Sequence, residues 1–201
     1  MDMGAITPPA GYDGARYVEE TAEAVEAKES QIMPRLFGTD GVRGLANRDL
    51  TARLALDLGD AAVRVLGNSA VREGLPEGRR RALIGRDTRV SGDFLASALC
   101  AGMSAGGFDV IDAGIIPTPG VAFLTSVLNV EMGAVISASH NPMPDNGIKF
   151  FDRQGFKLTE EAEAEIESFV LAGGADPESL PSGDAVGVVL PVEDACELYI
   201  Q

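Results

Sequence analysis

Along most of this chain, apolar residues fall into two alternating patterns. From Leu36 onward, short unbroken apolar runs such as Leu83-Ile84, Val110-Ile111 and Val135-Ile136 alternate with longer stretches. In those longer stretches the apolar positions recur every three or four residues. The short runs predict buried strands and the long stretches predict amphipathic helices. Thr51 reads as the N-cap of a helix with Leu54, Leu58, Ala62 and Val65 on one face. Ser91 reads as the cap of a second, striped by Leu95, Leu99 and Met103 and stopped by Gly106-Gly107. Thr118-Pro119 opens a third, with Phe123, Leu124, Val127 and Leu128 as its buried side. Asp145-Asn146-Gly147 is a turn signal ahead of the run Ile148 to Phe151. Thr159 with Glu160 and Glu161 opens a further helix, striped by Ala162, Ile166, Phe169 and Val170. Strands alternating with such helices predict an α/β fold, a mixed sheet with helices on both faces.

The two ends read differently from the middle. Residues 1–32 begin with a Gly, Pro and Ala-rich stretch and continue as a Glu-rich run with Val18, Ala22 and Val25 at helical spacing. They carry no motif and are expected to be an extension, disordered or non-native, with Met33-Pro34 as the natural start. Residues 33–172 hold the α/β pattern. Gly173 to Gly187 is rich in Gly, Pro, Asp and Ser and reads as a loop, and Val192 to Tyr199 begins an element that no cap or breaker closes before Gln201. Residues 173–201 are therefore expected to be a linker and the truncated start of a second domain.

Composition and charge narrow the function. The 201 residues are 45% apolar and carry a net charge of -15. The acidity sits at the ends, because residues 34–157 hold 13 acids and 14 bases whereas residues 158–201 hold 11 acids and no base. An acidic chain lacks the basic face that displaces phosphate counterions, which argues against nucleic acid as a partner. The Arg-rich middle instead suits a small anionic ligand. No apolar stretch approaches the roughly 18 residues of a membrane helix. The start lacks the basic flank and apolar block of a signal peptide. Cys100 and Cys196 form no CxxC pair, and Cys100 falls on an apolar helix face as core filler. A cytoplasmic protein without a membrane partner is the expectation.

Three polar segments interrupt the scaffold. Phe37-Gly38-Thr39-Asp40-Gly41-Val42-Arg43-Gly44 is either a structural turn or a site that lets a ligand approach the backbone. Gly85-Arg86-Asp87-Thr88-Arg89, after a strand and before a helix, is either an internal ion-pair lock or an anion clamp. The trio Arg79-Arg80-Arg81 just upstream reads as a solvated turn. The third segment runs from Ser137-Ala138-Ser139-His140-Asn141-Pro142 to Lys149. Ser139 is expected to emerge at the end of a strand, where open α/β sheets place ligands. In extended backbone its neighbour His140 would point to the opposite face, making it a poor base for the serine. Lys149 can return its ammonium to the same place across a hairpin. From spacing alone, a capping serine, a loop histidine and a surface lysine fit as well.

The segments Leu36 to Gly44, Gly85 to Arg89, Ile136 to Pro142 and Asp145 to Phe151 resemble the α-D-phosphohexomutase superfamily. The forms Phe-Gly-Thr-Asp-Gly-Val-Arg-Gly and Ile-Ser-Ala-Ser-His-Asn-Pro are most similar to its bacterial phosphoglucosamine mutase branch. The resemblance implies a three-layer α/β/α domain, the first of a four-domain enzyme, acting as an intramolecular phosphotransferase of the isomerase class. It implies interconversion of glucosamine 6-phosphate and glucosamine 1-phosphate, through a phosphoserine and a bisphosphate intermediate. Phosphomannomutase or phosphoglucomutase activity, or a non-catalytic stand-alone domain, are the alternatives. Ser139 matches the phosphorylated serine, Lys149 and Arg43 the groups that manage the sugar hydroxyl proton, and His140 a contact to phosphoryl or sugar. The resemblance further implies Mg²⁺, bound through the Ser139 phosphate with its other ligands beyond Gln201, and a sugar 1,6-bisphosphate activator. A hexosamine phosphate is the implied substrate. The isolated chain is expected to fold without turning over.

Overall fold

The computed structural model describes residues 35–72 and 79–200, so the expectations for residues 1–32 and for Met33-Pro34 lie outside the described residues. Within Leu36–Gln201, one compact unit, the elements run β1 (Val42–Leu45), α1 (Ala52–Arg72), β2 (Arg81–Arg86), α2 (Ser91–Ala105) and β3 (Asp109–Ile115). They continue with α3 (Thr118–Val127), β4 (Met132–Ile136), β5 (Asp145–Asp152), α4 (Glu160–Leu171), β6 (Val189–Pro191) and α5 (Ala195–Ile200). Two 3-10 turns, Pro177–Ser179 and Gly183–Ala185, lie between α4 and β6. Within the stretch 173–201, expected to be a linker and the truncated start of a second domain, β6 adds an edge strand and α5 a short helix.

The six strands form one mixed sheet in the order β1-β5-β4-β2-β3-β6. β4, β2, β3 and β6 run parallel to one another, while β5 runs antiparallel to both β4 and β1. Strand alternation separates two cores. Ala82, Ile84, Met132, Ala134, Ile136, Ile148 and Phe150 pack with α1, α2 and α4. Leu83, Ile111, Val135 and Phe151 take the other side, with Val121 and Leu124 of α3 and Ala195 of α5. The result is the expected α/β/α layering.

Most helix expectations hold. Thr51 accepts the Leu54 amide at 3.1 Å, and Thr159 accepts that of Ala162 at 3.3 Å. Leu95, Leu99 and Met103 are fully buried. Four readings need correction. Ser91 does not cap α2, since the cap position is Val90 and the Ser91 hydroxyl instead accepts from Asn146 Nδ2 at 2.9 Å. α3 is capped at Pro117, one residue earlier than read, and buries Val121, Leu124 and Thr125 while Phe123 and Val127 stay exposed. That helix is apolar around much of its girth, so periodicity could not select a face. Asp145-Asn146-Gly147 is not a turn but the start of β5, paired with Leu45, Gly44 and Arg43 of β1. Finally, Arg79 is no solvated turn residue. Its guanidinium grips the mostly buried Asp109 at 2.6 and 2.8 Å, and two carbonyls, of Asp184 and Val186, tying the segment before β6 to the sheet.

Candidate functional site

Ser139 lies three residues past the end of β4, at the carboxyl end of the parallel strands. Its backbone is left-handed, with φ at 55°. A non-glycine residue in that region costs roughly 1–2 kcal/mol and persists only when its surroundings impose it. The left-handed turn overturns the premise of extended backbone. Instead of pointing apart, Ser139 Oγ and His140 Nδ1 sit 3.3 Å apart, and both residues are exposed. The histidine is thus within hydrogen-bond reach of the serine.

The surroundings that impose the turn come from the loop after β2. Arg89, 8% exposed, pairs with Asp87 through Nε at 3.0 Å. One terminal nitrogen donates to the carbonyls of Pro142 (2.7 Å) and Asp145 (3.0 Å), the other to those of Ser139 (3.0 Å) and Asn141 (2.8 Å). Asp87 also accepts from Ser137 Oγ at 2.8 Å, and Ser137 Oγ accepts the Ser139 amide at 3.0 Å. Of the two readings of Gly85 to Arg89, the internal lock is the one the geometry realises. Asp87 is the carboxylate of that ion-pair reading, whereas Ser137 had no role assigned from sequence. A hydroxyl two residues before the exposed serine, able to accept its amide, is the signal that was available.

A second cluster forms between β1, β5 and the loop before β1. Asp40 accepts from Lys149 Nζ at 3.0 Å and from Arg43 Nη2 at 3.2 Å. The hydrogen bond from Lys149, and then the charges of Lys149 and Arg43, hold its carboxyl below the usual range. Arg43 retains a buried Nε with no hydrogen-bond partner among the described residues. Gly41, at φ 86°, makes the loop possible, since a side chain there would run into the Ile148 carbonyl. Asp40, three before Arg43 in the quoted motif, is the acceptor that gathers both cations.

The structure therefore joins Ser139 with His140, and Lys149 with Arg43. No hydrogen bond or ion pair between the two pairs occurs among the described residues. Their link is Gly147, where an added Cβ would lie 2.8 Å from the Ser137 carbonyl and 2.9 Å from Arg43 Cγ. Glycine there lets the Arg43 strand and the serine loop approach closely.

No group of three or more His, Cys, Asp or Glu able to hold a metal gathers among the described residues. These residues alone do not fit a Mg²⁺ site. No helix among them is long and apolar enough to cross a membrane. An open cavity of about 670 Å³ lies apart from the serine loop. Its Arg86 is neutralised by Asp93 at 2.9 Å and Asp112 at 3.6 Å. Burial pushes the thiol of Cys100, on its wall, up to about 12, consistent with core filler.

Comparison with known proteins fits this geometry. Residues 34–175 match the family model described as phosphoglucomutase/phosphomannomutase, alpha/beta/alpha domain I. A phosphoglucosamine mutase of Bifidobacterium longum (strain DJO10A) is 76% identical over 169 residues, covering 84% of this chain and 36% of the relative. One from Mycobacterium tuberculosis (strain ATCC 25177 / H37Ra) is 52% identical, covering 84% of this chain and 37% of the relative. Among solved structures, a phosphoglucomutase/phosphomannomutase family protein from Burkholderia thailandensis aligns with a TM-score of 0.65 at 26% identity. It covers 83% of this chain and 35% of that one. The chain thus spans little more than a third of the length of these relatives.

Proposed function

Because this chain belongs to the phosphoglucomutase/phosphomannomutase family and carries its α/β/α domain I, we propose that Ser139 is the phosphoryl carrier of a hexosamine phosphate mutase. The observation that carries this reading is the exposed Ser139 hydroxyl, turned out at the end of β4 by a left-handed backbone and fixed there by its neighbours. Phosphoryl transfer asks little covalent chemistry of a protein, mostly positioning and neutralisation of spread charge.

In the forward step the Ser139 Oγ–P bond breaks as a sugar hydroxyl oxygen bonds phosphorus, leaving a sugar bisphosphate. In the return step the other phosphoryl of that bisphosphate passes to Ser139 Oγ. Arg43, partly exposed on Asp40, neutralises charge on the phosphoryl group through its guanidinium. In its neutral amine form Lys149 is assigned the proton of the attacking hydroxyl, while Ser139 Oγ takes up a proton as it leaves phosphorus. His140, 3.3 Å from the serine oxygen, contacts the same phosphoryl group. A Mg²⁺ held through the Ser139 phosphate would neutralise charge on the transferring group. A sugar 1,6-bisphosphate serves as activator by loading the serine, and a cytoplasmic setting suits such metabolites.

The names of the 76% and 52% identical relatives favour the amino sugar over mannose or glucose. The test is intact-mass analysis after incubation with glucosamine 1,6-bisphosphate. Wild type should gain one phosphoryl group and Ser139→Ala none; equal gain by both overturns the assignment. Preference for a neutral hexose bisphosphate would contradict the choice of sugar.

A further inference from the structure

Arg89 has no opening for a ligand. Its guanidinium donates to one carboxylate, that of Asp87, and to four carbonyls, of Pro142, Asp145, Ser139 and Asn141, leaving no N–H spare. Those carbonyls belong to residues at and after Ser139, so a single rigid planar fork spans the turn from the serine to the first residue of β5. The same side chain is tied to the serine by a second route, through Asp87, the Ser137 hydroxyl and the Ser139 amide. Both routes converge on the one left-handed residue of the loop. Over-determination of this kind is what a strained backbone at a site requires.

We propose that Arg89 is a positioning residue for Ser139: it holds the loop so that the serine oxygen faces the reacting phosphoryl, and it binds no phosphate itself. This rests on the reading of Ser139 as phosphoryl carrier. It assigns opposite duties to two arginines of one site, Arg43 to the phosphoryl and Arg89 to the loop carbonyls. Lysine in place of Arg89 keeps the charge but loses the fork, so it cannot reach carbonyls on both sides of the turn.

The chain has a single histidine, His140, next to the serine, and its ring resonances report the loop without any assay of activity. In Arg89→Lys, the His140 ring signals should shift or split. Amide exchange over residues 137–146 should quicken about tenfold, with α2 unchanged. Phosphoryl capture from glucosamine 1,6-bisphosphate should then fall about a hundredfold in its maximal rate, with KM within about twofold. A higher KM at unchanged maximal rate would make Arg89 an anion ligand and overturn the proposal. So would an Arg89→Lys protein whose His140 signals and loop exchange match wild type. Should Arg89→Lys fail to fold, Ser137→Ala removes only the second route and should move the same signals by less; no movement counts against the proposal. If the full-length wild-type protein captures no phosphoryl while the His140 and exchange changes appear, the phosphoserine reading fails and the clamp stands.

Discussion

The Arg89 cluster and the Asp40 cluster are built from the same residue types and serve opposite ends. Around Arg89 every donor is used, the arginine is 8% exposed, and its acceptors are mostly backbone carbonyls. Around Asp40 two cations share one half-exposed carboxylate, and Arg43 keeps a buried Nε unpartnered. Saturated polar groups fix a backbone, whereas two partly exposed cations sharing one half-exposed carboxylate leave charge at the surface for an anion to meet. A motif containing Arg and Asp does not announce which of these it is. The count of donors left over does.

Four substitutions break or sharpen that contrast. The largest stability loss is expected for Arg89→Met, about 3 kcal/mol, because it strands loop carbonyls and the Asp87 carboxylate. Denaturant unfolding measures it. Arg43→Met should leave that curve within about 0.5 kcal/mol of wild type. Its phosphoryl capture from the bisphosphate should nevertheless fall about a hundredfold in kinetics by mass spectrometry. If the two arginines lose stability and transfer in equal measure, the contrast is gone. Ser137→Ala should cost about 1 kcal/mol in the same unfolding experiment, the worth of the hydroxyl that links Asp87 to the Ser139 amide.

The smallest effect is electrostatic. Lys149 first, then Arg43, hold the Asp40 carboxyl below its usual range. A group with a lowered folded pKa adds stability above its unfolded pKa and loses it as pH falls through the folded value. Wild type should therefore lose a small increment of stability on acidification below the usual carboxylate range, and Asp40→Asn should lack that increment. Because Asp40 is exposed, added salt should shrink the difference. Melting curves across acidic pH at two salt concentrations check both.

Much of this molecule was legible in its hydrophobic pattern. Strand runs such as Leu83-Ile84 and Val135-Ile136, and stripes such as Leu95, Leu99 and Met103, are buried where expected. These features depend on period alone, and tertiary packing had no reason to override them. The errors fell where side-chain chemistry chose among local options. Ser91 is a good cap by type, yet its hydroxyl serves the buried Asn146. Asp145-Asn146-Gly147 has turn composition but lies in β5, because Asn146 is satisfied by Ser91 and Gly147 is needed for the approach of Arg43. The candidate residues Ser139, His140, Lys149 and Arg43 were visible through the motif. The left-handed turn at Ser139 was not, since the bonds that hold it reach back to Arg89 and Asp87 about fifty residues earlier.

The serine loop offers two hydroxyls two residues apart, and the whole account turns on which one carries phosphate. Ser137 Oγ is spent, donating to Asp87 and accepting the Ser139 amide, while Ser139 Oγ is exposed beside His140. Fragmentation mass spectrometry of the peptide spanning both, after incubation with glucosamine 1,6-bisphosphate, distinguishes them directly. Phosphate on Ser139 alone is the predicted result; phosphate on Ser137, or on neither, would contradict it.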